Sequence, residues 1–217
     1  MKLYGYWRSS SAWRVRIALN YKGIAYTYVP VHLLHGGGEQ HAPDYLALNP
    51  SAKVPTLEFS FAGKQHLLSE SVAIMEMLEE LQPEPALLPT SLFARAKVRQ
   101  LTQTINSGMQ PLQNLPVVQE VERLGGNKVQ WATLWLSKGF AALEKEAEKT
   151  AGTCLVGQAV SMADACLVPQ MAAARRFKID LTPYPLLRRV EDHLAALPAF
   201  LASHADRQPD AQHPPAS

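Results

Sequence analysis

The run Arg8-Ser9-Ser10-Ser11-Ala12-Trp13-Arg14 carries the first residue types suited to chemistry, and it falls between a strand-like and a helix-like stretch. Hydroxyls at such a junction sit beside free backbone N–H groups and the positive end of the helix dipole, which favours an anion. A thiolate held there gains from both, and each pKa unit by which its thiol falls is about 1.4 kcal/mol of preference for the charged form. The same serines also suit plain helix capping, which needs no function. A second run, Asn49-Pro50-Ser51-Ala52-Lys53-Val54-Pro55-Thr56-Leu57, puts a proline at a strand edge. A trans bond there is ordinary structure, whereas a cis bond would turn the Val54 backbone outward and offer its N–H and C=O to a ligand. The third is Glu70-Ser71, opening another helix. Glu70 suits an ammonium and Ser71 or the helix N-terminus a carboxylate, the two ends of an amino-acid-like ligand. Capping is again the alternative.

Other chemistry-bearing residues read as solvated, turn or packing residues. His32, His35, His41 and His66 contain no convincing pair at helical metal-ligand spacing. Trp131 and Trp135, four residues apart, suit a contact between helices, and Met109, Met162 and Met171 read as core filler. Cys154 and Cys166 are too few for a disulfide framework and too far apart for a C-x-x-C motif, so they read as small buried apolar residues.

The elements that must position these segments follow from periodicity. Residues 2–6 read as a strand. Trp13, Ile17 and Tyr21 recur at helical spacing, with Gly23 as a stop. Residues 26–31 read as a second strand, and a short helix falls near 44–48. Residues 54–59 and 64–68 form a strand pair about an Ala62-Gly63 turn, and a helix follows from Ser71. The order βαβ, linking helix, ββα needs one parallel pair and one hairpin. Pro83, Pro85 and Pro89 mark a linker over 83–90. Beyond it the pattern is helical: Leu101, Ile105, Met109 and Leu112 share one face, and Leu136, Phe140 and Leu143 another. Ser161-Met162-Ala163-Asp164 is a capping-box variant, Pro169 lies inside the helix it opens, and a further helix is expected near 185–197. The reading is an α/β domain over 1–82, an all-α domain over 91–204 and a polar, proline-rich tail over 205–217.

Composition sets the frame. Among 217 residues, 21 Lys and Arg face 19 Asp and Glu, which offers no electrostatic case for nucleic acid. No apolar run approaches the roughly 20 residues that cross a bilayer, and no signal-peptide core follows the N-terminus. A reduced, cytoplasmic protein with no membrane partner is expected.

Together, the three segments on this element order resemble the thioredoxin-like domain of a cytosolic glutathione transferase, followed by that family's all-α C-terminal domain. Arg8-Ser9-Ser10 with Trp13-Arg14-Val15-Arg16-Ile17-Ala18-Leu19 is similar to the zeta class, whose best-known members are maleylacetoacetate isomerases. The likeness runs on through Gln110-Pro111-Leu112-Gln113-Asn114-Leu115, Met162-Ala163-Asp164, Leu167-Val168-Pro169-Gln170, Arg176-Phe177-Lys178 and Asp180-Leu181-Thr182-Pro183-Tyr184-Pro185, almost the whole chain. The resemblance implies glutathione as cofactor. It implies Ser9 or Ser10 as hydrogen-bond donor to its sulfur, Val54 on its cysteinyl backbone, Glu70 and Ser71 on its γ-glutamyl end, and Gln40, Gln110 and Asn114 near the peptide. Ser11 stands where the zeta pattern has a cysteine, and Ala12 where it has a serine. Serine can cap or donate but is no low-pKa thiol, so sulfur chemistry would rest on glutathione.

The implied reaction is glutathione-dependent cis–trans isomerisation of a small unsaturated diketo acid: maleylacetoacetate to fumarylacetoacetate, or alternatively maleylpyruvate. Transfer of glutathione to α-halo acids and a non-catalytic binding module are further alternatives. Diacids call for guanidinium groups. Arg176, at the family's Arg-Phe-Lys segment, is the first candidate and Arg8 the second. Arg14 and Arg16 are expected as structural ion-pair donors, and Arg175 as exposed. The family's usual state implies a homodimer.

Overall fold

The computed structural model describes residues 1–211. Strand β1 (Lys2–Gly5) leads into α1 (Ser10–Tyr21) and then β2 (Thr27–Pro30). After two short 3-10 turns come α2 (Pro43–Leu48), β3 (Thr56–Phe61), β4 (Lys64–Ser69) and α3 (Ser71–Leu81). The sheet order is β2-β1-β3-β4. β1 pairs parallel with β2, and β3 runs antiparallel to both β1 and β4, as the element order requires. α1 ends where Gly23 takes φ +66°, a backbone that suits glycine. The hairpin turns on Ala62 and Gly63, both at positive φ as a two-residue turn demands. Leu3, Ile17, Leu57, Ile74, Met75 and Leu78 are fully buried and form the core of this unit.

Two expectations need correction here. The β3 ladder begins at Thr56, not at Val54: Pro55 has no N–H to give a ladder, so the strand starts after it. Arg16 is fully buried but makes no ion pair among the described residues; it donates to backbone carbonyls, from Nε to Ser203 at 3.2 Å, from Nη2 to Trp7 at 2.9 Å and from Nη1 to Tyr6 at 3.5 Å.

The second unit, Ala86–Leu197, is helical. It holds α4 (Leu92–Asn106), α5 (Leu115–Arg123), α6 (Lys128–Ala147), α7 (Met162–Arg176) and α8 (Pro185–Ala195). Leu101 and Ile105 of α4 and Leu136, Phe140 and Leu143 of α6 are fully buried, on the faces the periodicity marks; α4 ends at Asn106, so Met109, also fully buried, and the half-buried Leu112 lie beyond that helix face. Gly139 lets α6 approach Met109: a Cβ there would lie 2.3 Å from the Met109 Cγ. α7 opens with the Ser161–Asp164 capping box and is buried along most of its length. Of the Thr-Pro-Tyr-Pro motif, Tyr184 donates its hydroxyl to the Ser137 carbonyl at 3.1 Å, a structural role. Within 83–90, Leu87 and Leu88 are buried and the Leu87 carbonyl accepts from the Met162 N–H, so this segment packs as part of the helical unit from Ala86 on.

The chain from Pro198 on belongs with Met1–Pro85. α9 (Pro198–Ser203) packs on α1, and a 3-10 turn at Ala205–Arg207 follows. The 91–204 and 205–217 division therefore differs from the structure. The C-terminal residues do not fold alone; they supply acceptors, such as the Ser203 carbonyl, to donors already buried in the first unit. Residues 212–217 of the expected tail lie outside the described residues.

Candidate active site

Strand register gathers the three candidate segments. Tyr4 of β1 pairs with Thr56 of β3, and Thr56 pairs with Ser69 of β4. The residues after β1, those before β3 and those after β4 therefore leave from the same end of the sheet. These are Arg8 to Ser11, Val54, and Glu70 with Ser71. β2 runs parallel to β1, with Gly5 opposite Pro30, so the segment leading to Gln40 leaves from that end too.

At the first segment the Ser9 N–H donates to the Tyr6 carbonyl at 2.9 Å, closing the turn that enters α1. Ser9 is the N-cap: its Oγ accepts from the Ala12 N–H at 3.2 Å. Capping uses a lone pair and leaves the hydroxyl proton to donate, so cap and anion donor are compatible roles. Ser10 is the first helical residue and buried; Ser11 is half-buried. Arg8 is half-buried. Its guanidinium lies 4.8 Å from the Trp7 ring centre and donates to the Tyr6 hydroxyl at 3.3 Å.

The Val54–Pro55 peptide is cis. The loop before it is pinned at the Lys53 carbonyl, which accepts from the Tyr45 hydroxyl at 2.6 Å and from the Asn49 side chain at 2.8 Å. Sequence reasoning missed this pair, although Tyr45 and Asn49 stand four residues apart at the end of a short helix. Burial pushes the Tyr45 hydroxyl pKa up, which keeps it a donor. Glu70 takes φ +67° and its side chain does not cap α3, so the first-turn N–H groups of that helix are left for another acceptor. Gln40 is buried; its Nε2 makes one long contact to the Leu33 carbonyl at 3.5 Å, and its Oε1 has no partner among the described residues. An orphaned buried oxygen, an uncapped helix N-terminus and a strand-edge backbone outside its ladder together match a peptide-like ligand carrying ammonium, amide and carboxylate groups.

The remaining candidates lie in the helical unit. Gln110 is buried in a 3-10 turn and donates to the Asn114 Oδ1 at 2.6 Å; Asn114 is the N-cap residue of α5. Arg176 is exposed at the last position of α7, while Arg175 beside it is held by both carboxylate oxygens of Glu191 at 2.5 Å each. Cys154 and Cys166 are buried, and desolvation with the nearby Asp164 charge pushes the Cys154 thiol up to about 11. Cys154 is therefore no activated nucleophile.

A sheet with one parallel pair and one hairpin, a cis proline before β3 and an all-helical second unit define a glutathione-transferase fold. The profile of the glutathione S-transferase N-terminal domain matches residues 8–81, and that of the C-terminal domain matches 135–198. The mouse maleylacetoacetate isomerase is 49% identical over 208 residues, covering 96% of this chain and 94% of that protein. A crystal structure of maleylacetoacetate isomerase from Anaeromyxobacter dehalogenans 2CP-1, with GSH bound in its active site, superposes with TM-score 0.89 at 50% identity over 97% of each chain. The holo structure of a bacterial zeta-class maleyl pyruvate isomerase gives TM-score 0.91 at 39% identity, over 98% of this chain and 100% of that one. The chain belongs to the glutathione S-transferase family, in the zeta-class branch that contains the maleylacetoacetate isomerases.

Proposed function

We propose that this protein is a glutathione-dependent cis–trans isomerase that converts maleylacetoacetate to fumarylacetoacetate in cytoplasmic aromatic amino-acid catabolism. The observation that carries the reading is the meeting of Ser9–Ser10, Val54 and Glu70–Ser71 at one end of the sheet, with the Gln40 oxygen buried and unpaired. Near full-length identity to enzymes of that name supports it.

Bound glutathione supplies a thiol whose reversible addition to the activated double bond makes that bond free to rotate. The chain's own residues do the rest. Ser9 or Ser10 donates to the sulfur and, with the α1 N-terminus, holds it as thiolate. Val54 pairs its backbone with the cysteinyl unit. Glu70 takes the γ-glutamyl ammonium, and Ser71 with the α3 N-terminus takes its carboxylate. Gln40 Oε1 accepts from a peptide N–H. Arg8 orients a substrate carboxylate by guanidinium pairing. Sequence correspondence assigns Gln110 and Asn114 to the peptide and Arg176 to the acid. Ser11, at the family's cysteine position, donates or caps and offers no thiol.

Maleylpyruvate is the second reading, supported by the fold likeness to the zeta-class maleyl pyruvate isomerase. The test is retention on immobilised glutathione, followed by kcat/KM for both acids with and without glutathione. Isomerisation that requires glutathione is expected, with maleylacetoacetate preferred. Retention without turnover of either acid would identify a binding module and overturn the reading. In S9A/S10A the thiolate absorbance of bound glutathione should fall along with the rate.

We also propose a homodimer. Exposed Leu92 and Phe93 at the start of α4 support it, as does exposed Phe61 at the β3–β4 turn. Sedimentation at micromolar concentration tests it. Among the described residues no helix is long and apolar enough to cross a membrane.

A further inference from the structure

The turn that carries the serines is held from the far end of the chain. Trp7 follows β1 and precedes Arg8 and Ser9. Its N–H donates to the Asp210 Oδ2 at 3.0 Å, across 203 residues of sequence. The same oxygen accepts from the Tyr28 hydroxyl of β2 at 3.3 Å. The Trp7 carbonyl is held as well, by the buried Arg16 Nη2 at 2.9 Å, and Arg16 reaches back to the Ser203 carbonyl through Nε. Both polar groups of the Trp7 backbone are therefore fixed by partners outside the turn. One is the carboxylate of Asp210, and the other is an arginine that the C-terminal segment helps to hold. Burial lowers the Arg16 pKa, and the Asp210 carboxylate is among the neighbours that oppose this.

We propose that Asp210 is a positioning residue for the reaction: by accepting the Trp7 N–H it sets the Trp7–Ser10 turn, and with it the direction of the serine hydroxyls and of the α1 N-terminus. The proposal rests on the assignment of Ser9 or Ser10 to the glutathione sulfur. A hydroxyl placed even about 1 Å out of line loses much of its worth as a donor to a thiolate, so a distant anchor acts on catalysis through geometry. A charged acceptor suits the role, because hydrogen bonds to carboxylates are shorter and stronger than neutral ones.

The test compares D210A with D210N in the full chain. D210A removes the acceptor; D210N keeps an oxygen for the Trp7 N–H. The expected result for D210A is a KM for glutathione raised about ten-fold and an acidic limb of the pH–rate profile moved upward, with D210N recovering most of both. A role in stability alone would lower the Tm and leave the KM and the pH limb in place. Wild-type values of both in folded D210A would overturn the proposal, as would D210N as defective as D210A. Should D210A not fold, amide exchange at Trp7 decides: protection is expected in the wild-type chain and in D210N, and an unprotected Trp7 amide in the wild type would overturn the proposal. Failure of the underlying reading looks different, because wild-type protein would then neither bind glutathione nor respond to S9A/S10A.

Discussion

Asp164 takes two hydrogen bonds from Ser161 on a single carboxylate oxygen, one from the backbone N–H at 2.8 Å and one from the hydroxyl at 2.6 Å. Its other oxygen accepts from the Leu155 N–H at 2.8 Å. One side chain thus ties the start of α7 to the loop before it. The carboxyl is fully buried, and desolvation outweighs these bonds, pushing its pKa up to about 6.

A raised carboxyl pKa gives a signed pH dependence. The unfolded chain titrates this group near about 4, so between that value and about 6 the folded state binds the extra proton. The contribution is fully present below the lower value and is lost as pH rises through the upper one. Exposed carboxylates held below their ordinary range, among them Glu58, Glu120 and Asp180, act in the opposite direction. Chemical denaturation of wild type and D164N side by side cancels those groups. The wild-type advantage should grow as pH falls from 7 to 5; a constant difference would refute the assignment. D164A, which strands three donors, should cost about 2–5 kcal/mol, more at pH 5 than at pH 7.

Gln40 presents the reverse case, a polar group that folding leaves unrewarded. Among the described residues its buried Oε1 has no partner, and its side-chain amide packs against Gly38, which takes φ +103°. Replacing Gln40 by Leu removes the orphan atom with little change of volume. The expected outcome is a Tm equal to or above wild type together with a KM for glutathione raised about ten-fold. A lowered Tm with unchanged KM would make Gln40 purely structural.

Much of this arrangement was legible in the chain itself. Trp13–Ile17–Tyr21 spacing, Gly23 and the Ala62-Gly63 turn marked local structure because local backbone preferences decide such features. The Ser161–Asp164 box was readable for the same reason: both partners sit within one helical turn. The start of β3 was not, because a run of strand-forming residues continues through Val54 while the ladder waits for Thr56. Nor was the fate of the C-terminal residues. Arg16 finds its acceptors in main-chain carbonyls, one of them 187 positions away, and a carbonyl has no residue type to betray it. The serines were ambiguous between cap and catalytic donor, and the geometry of Ser9 explains why: a single hydroxyl can do both.

That arginine makes its own prediction. Arg16 is enclosed by carbonyls of Tyr6, Trp7 and Ser203, reached from three different nitrogens. A lysine has a single ammonium and cannot span them, so R16K leaves carbonyls unpaired in a buried site. The expected loss is about 3 kcal/mol or more, seen as a lowered denaturation midpoint with an unchanged slope. Stability within about 0.5 kcal/mol of wild type would mean that water replaces the guanidinium without cost.

The two arginines proposed for the substrate can be separated by their kinetics. Arg8 lies against the Trp7 ring and is tethered to the Tyr6 hydroxyl, whereas Arg175 is paired with Glu191 and Arg176 is the α7 arginine that sequence correspondence proposes. If each takes a different carboxylate of the acid, R8M and R176M should each raise the KM for the acid about ten-fold or more and leave the KM for glutathione unchanged. Their effects should then add in the double variant, since two independent pairings are lost. Sub-additive losses would refute two independent pairings. R8M that changes only the glutathione KM would move Arg8 from the substrate to the cofactor. A monoester of the substrate sharpens the assignment, because it should be insensitive to loss of whichever arginine meets the esterified end.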